Sequence, residues 1–332
     1  MEQKDTSTVN VPTLTADQVQ SNLAMKDCIS AMEELYSHEA DSVSKQPKRI
    51  VTVIDPDSVI LTMPSFSERL ALFAVKIVTE FKRNPENYSL SVQGGLTILM
   101  DSRNSATLAM LDSPAITALR TGAVSGLATK ILSREDSSQL GVIGSGQQAR
   151  AMLEAVCSVR KIKSARVYSR NQSNSKRFAL EMQEKLGLPV ESVSDRRTAM
   201  SNADILNVAT NSSTPVVAWE EIASGTHINS VGTLADRREL DLETILRSDL
   251  YVDTKEGVLA EAGDVLYALK SEQLKPSDIK GDLFELVSST RKFSRKNETQ
   301  VTLFKSVGFA LQDVYASAYI YRNFLRGNSN HS

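Results

Sequence analysis

The sequence predicts an α/β fold of two domains, and three observations predict it. A short apolar strand pattern breaks into Gly144-Ser145-Gly146-Gln147-Gln148-Ala149 and resumes as a helix. Strand and helix patterns alternate from residue 140 to residue 253, and strand patterns dominate residues 49–100. Alternation is the mark of a parallel sheet with crossover helices, whereas clustered strands make an α+β unit. The 332 residues suffice for two domains of roughly 150 residues each.

Residues 1–12 are polar and expected to be disordered, as is the tail 329–332. Leu14-Thr15-Ala16-Asp17 starts a helix that runs, with a break near Leu23, to about His38. Strands are expected at 49–54 and 59–63 around the turn Asp55-Pro56-Asp57-Ser58, and again at 72–79 and 95–100. Residues 115–134 read as a long helix whose small residues suit close packing. A helix over 152–159 continues the glycine turn. Strands at Val142, 165–168, 205–209, 227–231 and 250–253 follow the pattern of one parallel sheet. A last helix over about 301–325 is apolar on more than one face and must be covered, which predicts that it packs back on the N-terminal domain.

The glycine turn carries the chemistry. Gly144 permits a tight strand-to-helix turn, Gly146 lets the backbone approach a pyrophosphate, and Ala149 lets the helix pack on the strand. The free N–H groups at the helix start then face an anion. The second strand follows about 25 residues later, the spacing of a Rossmann-type dinucleotide-binding domain. At its end Ser169-Arg170-Asn171 stands where an NAD enzyme carries a carboxylate for the ribose hydroxyls. A hydroxyl and a guanidinium favour a 2′-phosphate, so NADP(H) is the preferred cofactor, with NAD(H) use left open.

Other chemistries lose their parts. A net charge of −2 gives no basic footprint for nucleic acid, and no apolar run nears the ~20 residues of a membrane span. Met1-Glu2-Gln3-Lys4-Asp5 lacks an apolar signal core, which predicts a cytoplasmic protein. Cys28 and Cys157 are too few for a disulfide framework and are expected to be buried thiols. Of three histidines, His38 and His331 lie in polar ends and His227 in an ordered segment, so no metal site or Ser-His-Asp triad is expected. Hydride transfer is the chemistry left.

Seven segments resemble, in the same order, the motifs of the ornithine cyclodeaminase and mu-crystallin family. They are Met25-Lys-Asp-Cys-Ile-Ser-Ala-Met32, Phe73-Ala-Val-Lys-Ile-Val-Thr79 with Asn84-Pro85 after it, Ala115-Ile-Thr-Ala-Leu-Arg-Thr-Gly-Ala123, Gly144 to Arg150, His227-Ile-Asn-Ser-Val-Gly232, Glu261-Ala-Gly-Asp264 and Phe304-Lys-Ser-Val-Gly308. The resemblance implies a Rossmann domain over 121–304 and an α+β N-terminal substrate-binding and dimerisation domain over 13–120 with 305–328, assembled as a homodimer. It implies that Arg49, Lys76 and Arg120 grip the carboxylate of a small imino or amino acid, with Lys76 also in a catalytic role. The cofactor contacts it implies come from Arg120 and Thr121, from Gly144, Gly146, Gln147, Gln148 and Ala149, and from Ser169 and Arg170. Thr210, Asn211, Val231, Gly232, Val307 and Gly308 are implied on the nicotinamide side.

One departure separates the branches of the family. Cyclodeaminases and archaeal alanine dehydrogenases of this resemblance carry an aspartate two positions after the glycine of Val231-Gly232, where this chain has Leu234. The following Asp236-Arg-Arg-Glu-Leu240 looks like the ketimine-reductase version, without its proline and one residue shorter. The expected reaction is therefore NAD(P)H-dependent reduction of the C=N bond of a ketimine or cyclic imino acid such as pyrroline-2-carboxylate or piperideine-2-carboxylate. An amino-acid dehydrogenase, an ornithine cyclodeaminase and a non-catalytic, crystallin-like NADPH-binding protein stay open as alternatives.

Overall fold

The computed structural model describes residues 11–40, 46–288 and 293–329. The chain begins with β1 (Thr13–Leu14), α1 (Ala16–Ser21), α2 (Met25–His38), β2 (Ile50–Asp55), β3 (Ser58–Ser67), β4 (Leu72–Phe81) and α3 (Asn84–Tyr88). It continues with β5 (Gln93–Asp101), β6 (Thr107–Asp112), α4 (Ser113–Leu132), β7 (Gln139–Ile143), α5 (Gln147–Val159), β8 (Ser164–Tyr168) and α6 (Gln172–Leu186). Then come β9 (Val190–Ser192), α7 (Arg196–Met200), β10 (Ile205–Val208), β11 (His227–Ser230), α8 (Leu242–Arg247), β12 (Asp249–Val252) and α9 (Lys255–Glu261). The last elements are α10 (Gly263–Lys270), β13 (Gly281–Asp282), α11 (Leu283–Val287), β14 (Thr302–Lys305) and α12 (Ala310–Ser329).

Two compact units result. The first holds the described residues up to 24, from 46 to 117 and from 310 onward; the second holds 25–40 and the described residues from 118 to 309. Residues 25–40 thus group with the nucleotide-type unit, where the sequence had suggested 13–120. The reason is packing: α2 buries Cys28, Ile29, Met32, Leu35 and Tyr36, rests on α5 and α11, and sets Tyr36 edge-on to Phe284 at 4.8 Å. The disorder expected for 1–12 and 329–332 falls mostly outside the described residues. Within them, the Pro12 carbonyl accepts from the Met110 amide and Ser329 closes α12.

The first unit is a six-stranded sheet in the order β1-β6-β5-β4-β3-β2. The β2–β3 hairpin closes where expected, with the Asp57 amide donating to Asp55 Oδ1 at 2.7 Å in an Asx turn. Buried residues alternate along the strands: Met63, Ser65 and Ser67 on β3, Ala74 and Lys76 on β4, Thr97, Leu99 and Asp101 on β5. This period of two defines one covered face, and α12 packs against β3, β4 and β5.

The second unit is an eight-stranded sheet in the order β13-β12-β14-β11-β10-β7-β8-β9, parallel throughout. The strand of the glycine turn, β7, lies between β8 and β10, so the connections run outward in both directions from it. That is the topological switch point of a doubly wound sheet.

The helix expected over 301–325 is corrected: residues 302–305 are strand β14, and the helix runs from Ala310 to Ser329. β14 lies between β11 and β12 and is buried on both faces, so its residues, Thr302-Leu-Phe-Lys305, show no polar–apolar alternation and helical periodicity also fits them. Gly308, at φ +71°, separates the two elements. Strands β1, β6, β9 and β13 were not anticipated; Leu14, expected to open the first helix, pairs with Leu111 in β1.

Within β11, His227 is fully buried, its ring nitrogens 3.0 Å from Thr302 Oγ1 and 3.1 Å from Asn229 Oδ1. Burial pushes its pKa down to about 3. The unfolded chain takes this proton near pH 6.5 and the folded chain only near 3, so the group's stabilisation is complete above pH 6.5 and is lost as the pH falls toward 3. In urea titrations between pH 7 and 4, His227→Gln is expected to flatten the acid loss of stability relative to the parent by up to about 1 kcal/mol per pH unit. Parallel profiles for the two proteins would contradict this account.

Candidate functional site: a dinucleotide crevice and a buried lysine

The glycine turn sits at the end of β7. Gly144 has φ +113°, and a Cβ there would lie 2.2 Å from the Ala209 carbonyl oxygen, so no other residue fits. Gly146 is the N-cap of α5 and makes no side-chain cap bond. A Cβ on Gly146 would meet nothing within 4 Å. The start of this 13-residue helix is therefore open beside Gly146 and has no side-chain cap, which is the cradle a pyrophosphate needs. Gln147 is exposed beside it, Ala149 is fully buried against the sheet, and Gln148 keeps a buried Oε1 that no protein group satisfies. Arg150 closes the turn by donating to the Ser145 and Gly146 carbonyls.

The adenosine end of such a site is set by the loop after β8. Ser145 Oγ donates to Ser169 Oγ at 3.0 Å, tying the two loops together. Asn171 is used as the N-cap of α6, accepting from the Ser173 and Asn174 amides, and Arg170 is exposed.

Loops at the ends of β10, β11 and β14 form the other half of the crevice. The Thr210 amide and hydroxyl and the Gly232 amide all donate to Glu239, and Asn211 is exposed. Val231 extends β11 by accepting a bond partner in β10: its amide donates to the Val208 carbonyl. Val307 and Gly308 donate their amides to Asp253 Oδ2 at 3.0 and 2.6 Å, as does the Ser306 hydroxyl at 2.8 Å. Burial pushes the Asp253 carboxyl up, against these donors. Gly308 needs its left-handed backbone and its missing side chain, because a Cβ would lie 2.1 Å from the Arg120 guanidinium. Arg120 and Thr121, on α4, are both buried in this unit.

The first unit carries the other two expected carboxylate ligands. Arg49 stands one residue before β2, whose Ile50 pairs with Thr62, while the next residue of β3, Met63, pairs with Lys76. Lys76 is 2% exposed. Its Nζ donates to Asp313 Oδ1 at 2.8 Å and to Thr117 Oγ1 at 2.6 Å. Asp313, on α12, is 1% exposed, so the pair is a buried one. It was missed in the sequence, where a single acid in Leu311-Gln-Asp-Val-Tyr-Ala316 was the available signal, complementary to a single lysine in an apolar strand.

Leu234, at the position that separates the branches, has φ +92° and is 37% exposed. A bulky residue in that region is strained, and such strain clusters at functional loops. Both cysteines are free; Cys28 is buried and Cys157 half-buried, and burial pushes both thiols up, Cys157 to about 12. Neither has the lowered pKa of a nucleophile. Among the described residues, no cluster of His, Cys, Asp and Glu has the makings of a metal site, and no helix is long and apolar enough to cross a membrane.

A doubly wound parallel sheet, with an uncapped glycine turn at its switch point, defines a Rossmann-type dinucleotide-binding protein. Residues 10–328 match the Ornithine cyclodeaminase/mu-crystallin family, and the chain belongs to it. It is 36% identical over 265 residues to a Delta(1)-pyrroline-2-carboxylate reductase of Bacillus cereus, covering 79% of this chain and 80% of that one. It is 32% identical to the ketimine reductase mu-crystallin of Rattus norvegicus, over 95% and 97% of the two chains. The structure of Thermococcus litoralis Delta(1)-pyrroline-2-carboxylate reductase in complex with NADH and L-proline superposes with a TM-score of 0.92 at 40% identity, over 96% and 98%.

The glycine turn makes a direct test available. Gly146→Ala adds a Cβ that meets no protein atom within 4 Å, so the melting temperature should stay within about 3 °C of the parent, the change of a weak N-cap. Titration with NADH or NADPH, followed by nucleotide fluorescence, should show affinity reduced by more than tenfold. Unchanged affinity would mean that the anion is held elsewhere.

Proposed function

We propose that this chain is a nicotinamide-dependent reductase of cyclic imino acids of the pyrroline-2-carboxylate and piperideine-2-carboxylate type. The observation that carries the reading is the 40% identity, over 96% of the chain, with a reductase whose structure holds NADH and L-proline. Proline is the product of saturating the C=N bond of pyrroline-2-carboxylate. The bound dinucleotide supplies the hydride.

Arg49, Lys76 and Arg120 are the proposed ligands of the substrate carboxylate. The two guanidinium groups suit bidentate contact, and the ammonium acts as a point charge. Asp313 holds that ammonium in place, and Lys76, the ammonium of the three, also keeps the imine nitrogen protonated. An iminium carbon is already electrophilic, so orientation carries most of the catalysis. Leu234 offers no carboxylate to a second amine, which favours imino acids over diamines.

The expected outcome of an initial-rate comparison is efficient reduction of both cyclic imines, with L-ornithine and L-alanine far slower. Lys76→Ala should lose about 30- to 1,000-fold in kcat/KM, or about 2–4 kcal/mol, while still binding the dinucleotide. Rapid proline and ammonia formation from L-ornithine would sink the proposal. Silence on every imine, with dinucleotide binding intact, would make the protein a non-catalytic binder.

The cofactor preference follows from the loop after β8. Arg170 is exposed and no carboxylate stands beside Ser169, which supports NADP(H) over NAD(H). Arg170→Ala is expected to raise KM for NADPH several-fold and leave KM for NADH nearly unchanged. Equal KM values for both cofactors in the parent would remove the basis for this preference.

The same reading includes a homodimer formed through the first unit, working in the cytoplasm, in keeping with two free thiols. β2 is an edge strand that leaves Ile50, Val51, Val53 and Ile54 between 51% and 70% exposed. Such an edge needs cover. Light scattering at micromolar concentration should give twice the chain mass, and Val53→Glu with Ile54→Glu should halve it; a monomeric parent counts against the assembly.

A further inference from the structure

Asp264 of Glu261-Ala-Gly-Asp264 and Lys305 of Phe304-Lys-Ser-Val-Gly308, two motifs singled out in the sequence, have no part in the reaction proposed above. The fold brings their charged residues, Asp264 and Lys305, together with Glu239 in one buried cluster. Lys305 Nζ donates to Asp264 Oδ2 at 2.5 Å and to Ser230 Oγ at 2.9 Å, and lies 3.8 Å from Glu239 Oε2. All three charged side chains are at most 1% exposed.

Glu239 is the hub. Its Oε1 accepts from the Thr210 amide at 2.5 Å and the Thr210 hydroxyl at 2.9 Å, and its Oε2 accepts from Ser230 Oγ and the Gly232 amide, each at 2.8 Å. Asp264 Oδ1 fixes the hub's own backbone, accepting from the Glu239 and Leu240 amides at 2.7 and 3.1 Å. Gly232 is pressed so close that a Cβ would lie 2.5 Å from Glu239 Oε2.

The place of this hub gives it a use. Thr210 follows β10 and Gly232 follows β11, at the carboxyl ends of the strands. Gly144, the pivot of the glycine turn, would direct a Cβ to 3.4 Å from Thr210 Cγ2. One carboxylate therefore ties together two loops that border the crevice where a doubly wound sheet takes its ligand. Apolar packing of similar volume serves stability as well as a buried ionic cluster does, because desolvating the charges offsets their attraction. What apolar packing cannot do is hold two main-chain amides and two hydroxyls at fixed points.

We propose that Glu239 is a positioning residue for the dinucleotide, clamping the Thr210 and Gly232 loops in their binding geometry, with Lys305 and Asp264 fixing the clamp. This rests on the reading of those loops as dinucleotide contacts. Glu239→Gln keeps the volume, but its amide turns one donor toward groups that are themselves donors, so one of the two loops is released.

The test is equilibrium titration of the full-length variant with NADH and NADPH at 20 °C, followed by nucleotide fluorescence, beside circular-dichroism melting and steady-state kinetics. The expected result is a dissociation constant raised about tenfold or more, with KM for the dinucleotide rising in step and KM for the imine changed less than about twofold. A lower melting temperature with the parent's dissociation constant would assign the cluster to stability alone and overturn the proposal. Should Glu239→Gln fail to fold, Thr210→Val, which removes one donor and keeps the shape, takes its place. A rise of about threefold there supports the clamp and an unchanged constant overturns it. A parent that binds neither nucleotide fails the dinucleotide reading itself, and the clamp falls with it.

Discussion

Where the strands of the parallel sheet end, their loops carry amides without ladder partners, and in the second unit buried carboxylates take them up. Asp253 accepts from the Thr254, Val307 and Gly308 amides, Glu239 from Thr210 and Gly232, and Asp264 from Glu239 and Leu240. At the opposite strand ends, Asp204 accepts from Ser138 and Gln139. A buried N–H left unsatisfied costs about 1–3 kcal/mol, and an isolated buried carboxylate costs more. Each is here the remedy for the other. The loops that border the crevice are consequently preformed, and ordering them is not charged against ligand binding.

The first unit applies the same principle with the sign reversed. Its covered face carries an ammonium, Lys76, which pairing with Asp313 and Thr117 helps make tolerable at 2% exposure. Removing one partner of a buried pair costs about 3–5 kcal/mol, because it strands the other charge. Asp313 reaches the sheet from α12, and Thr117 stands near the start of α4, so the ammonium is fixed by two helices far apart in the sequence. That arrangement makes the C-terminal helix the anchor of the buried ammonium as well as the cover of the sheet.

What the sequence disclosed, and what it withheld, follows from the range of the interactions. The glycine turn, the Asp55–Ser58 hairpin and the alternation of strands are set by residues near in sequence, and they were legible. Lys76 could be singled out because an ammonium in an apolar strand needs a partner, but the partner, 237 residues on, could not. β14 failed for a related reason. A strand buried on both faces has no polar side to give it a period of two, so Val301-Thr-Leu-Phe304 reads equally well as helix. Glu239 and Lys305 were visible only as members of motifs. Their meeting at 3.8 Å is a product of topology, because β14 inserts beside β11 after a detour through β12.

The distribution of charge then bears on the choice of substrate. Around the crevice of the second unit, Asp253, Glu239 and Asp264 turn inward and spend their acceptor capacity on the protein itself. At Leu234, where the family resemblance places a carboxylate in the cyclodeaminase branch, the chain has instead a strained apolar residue whose loop is wedged onto Gly263, where a Cβ would lie 2.1 Å from the Arg237 carbonyl oxygen. Acids are thus plentiful in this unit, and the residue at this position is apolar. A diamine's second ammonium would find no carboxylate at residue 234 itself, and an ammonium desolvated without a counter-ion costs several kcal/mol. A cyclic imino acid has no such group. That difference is the physical ground of the proposed preference for reducing a ring over closing one.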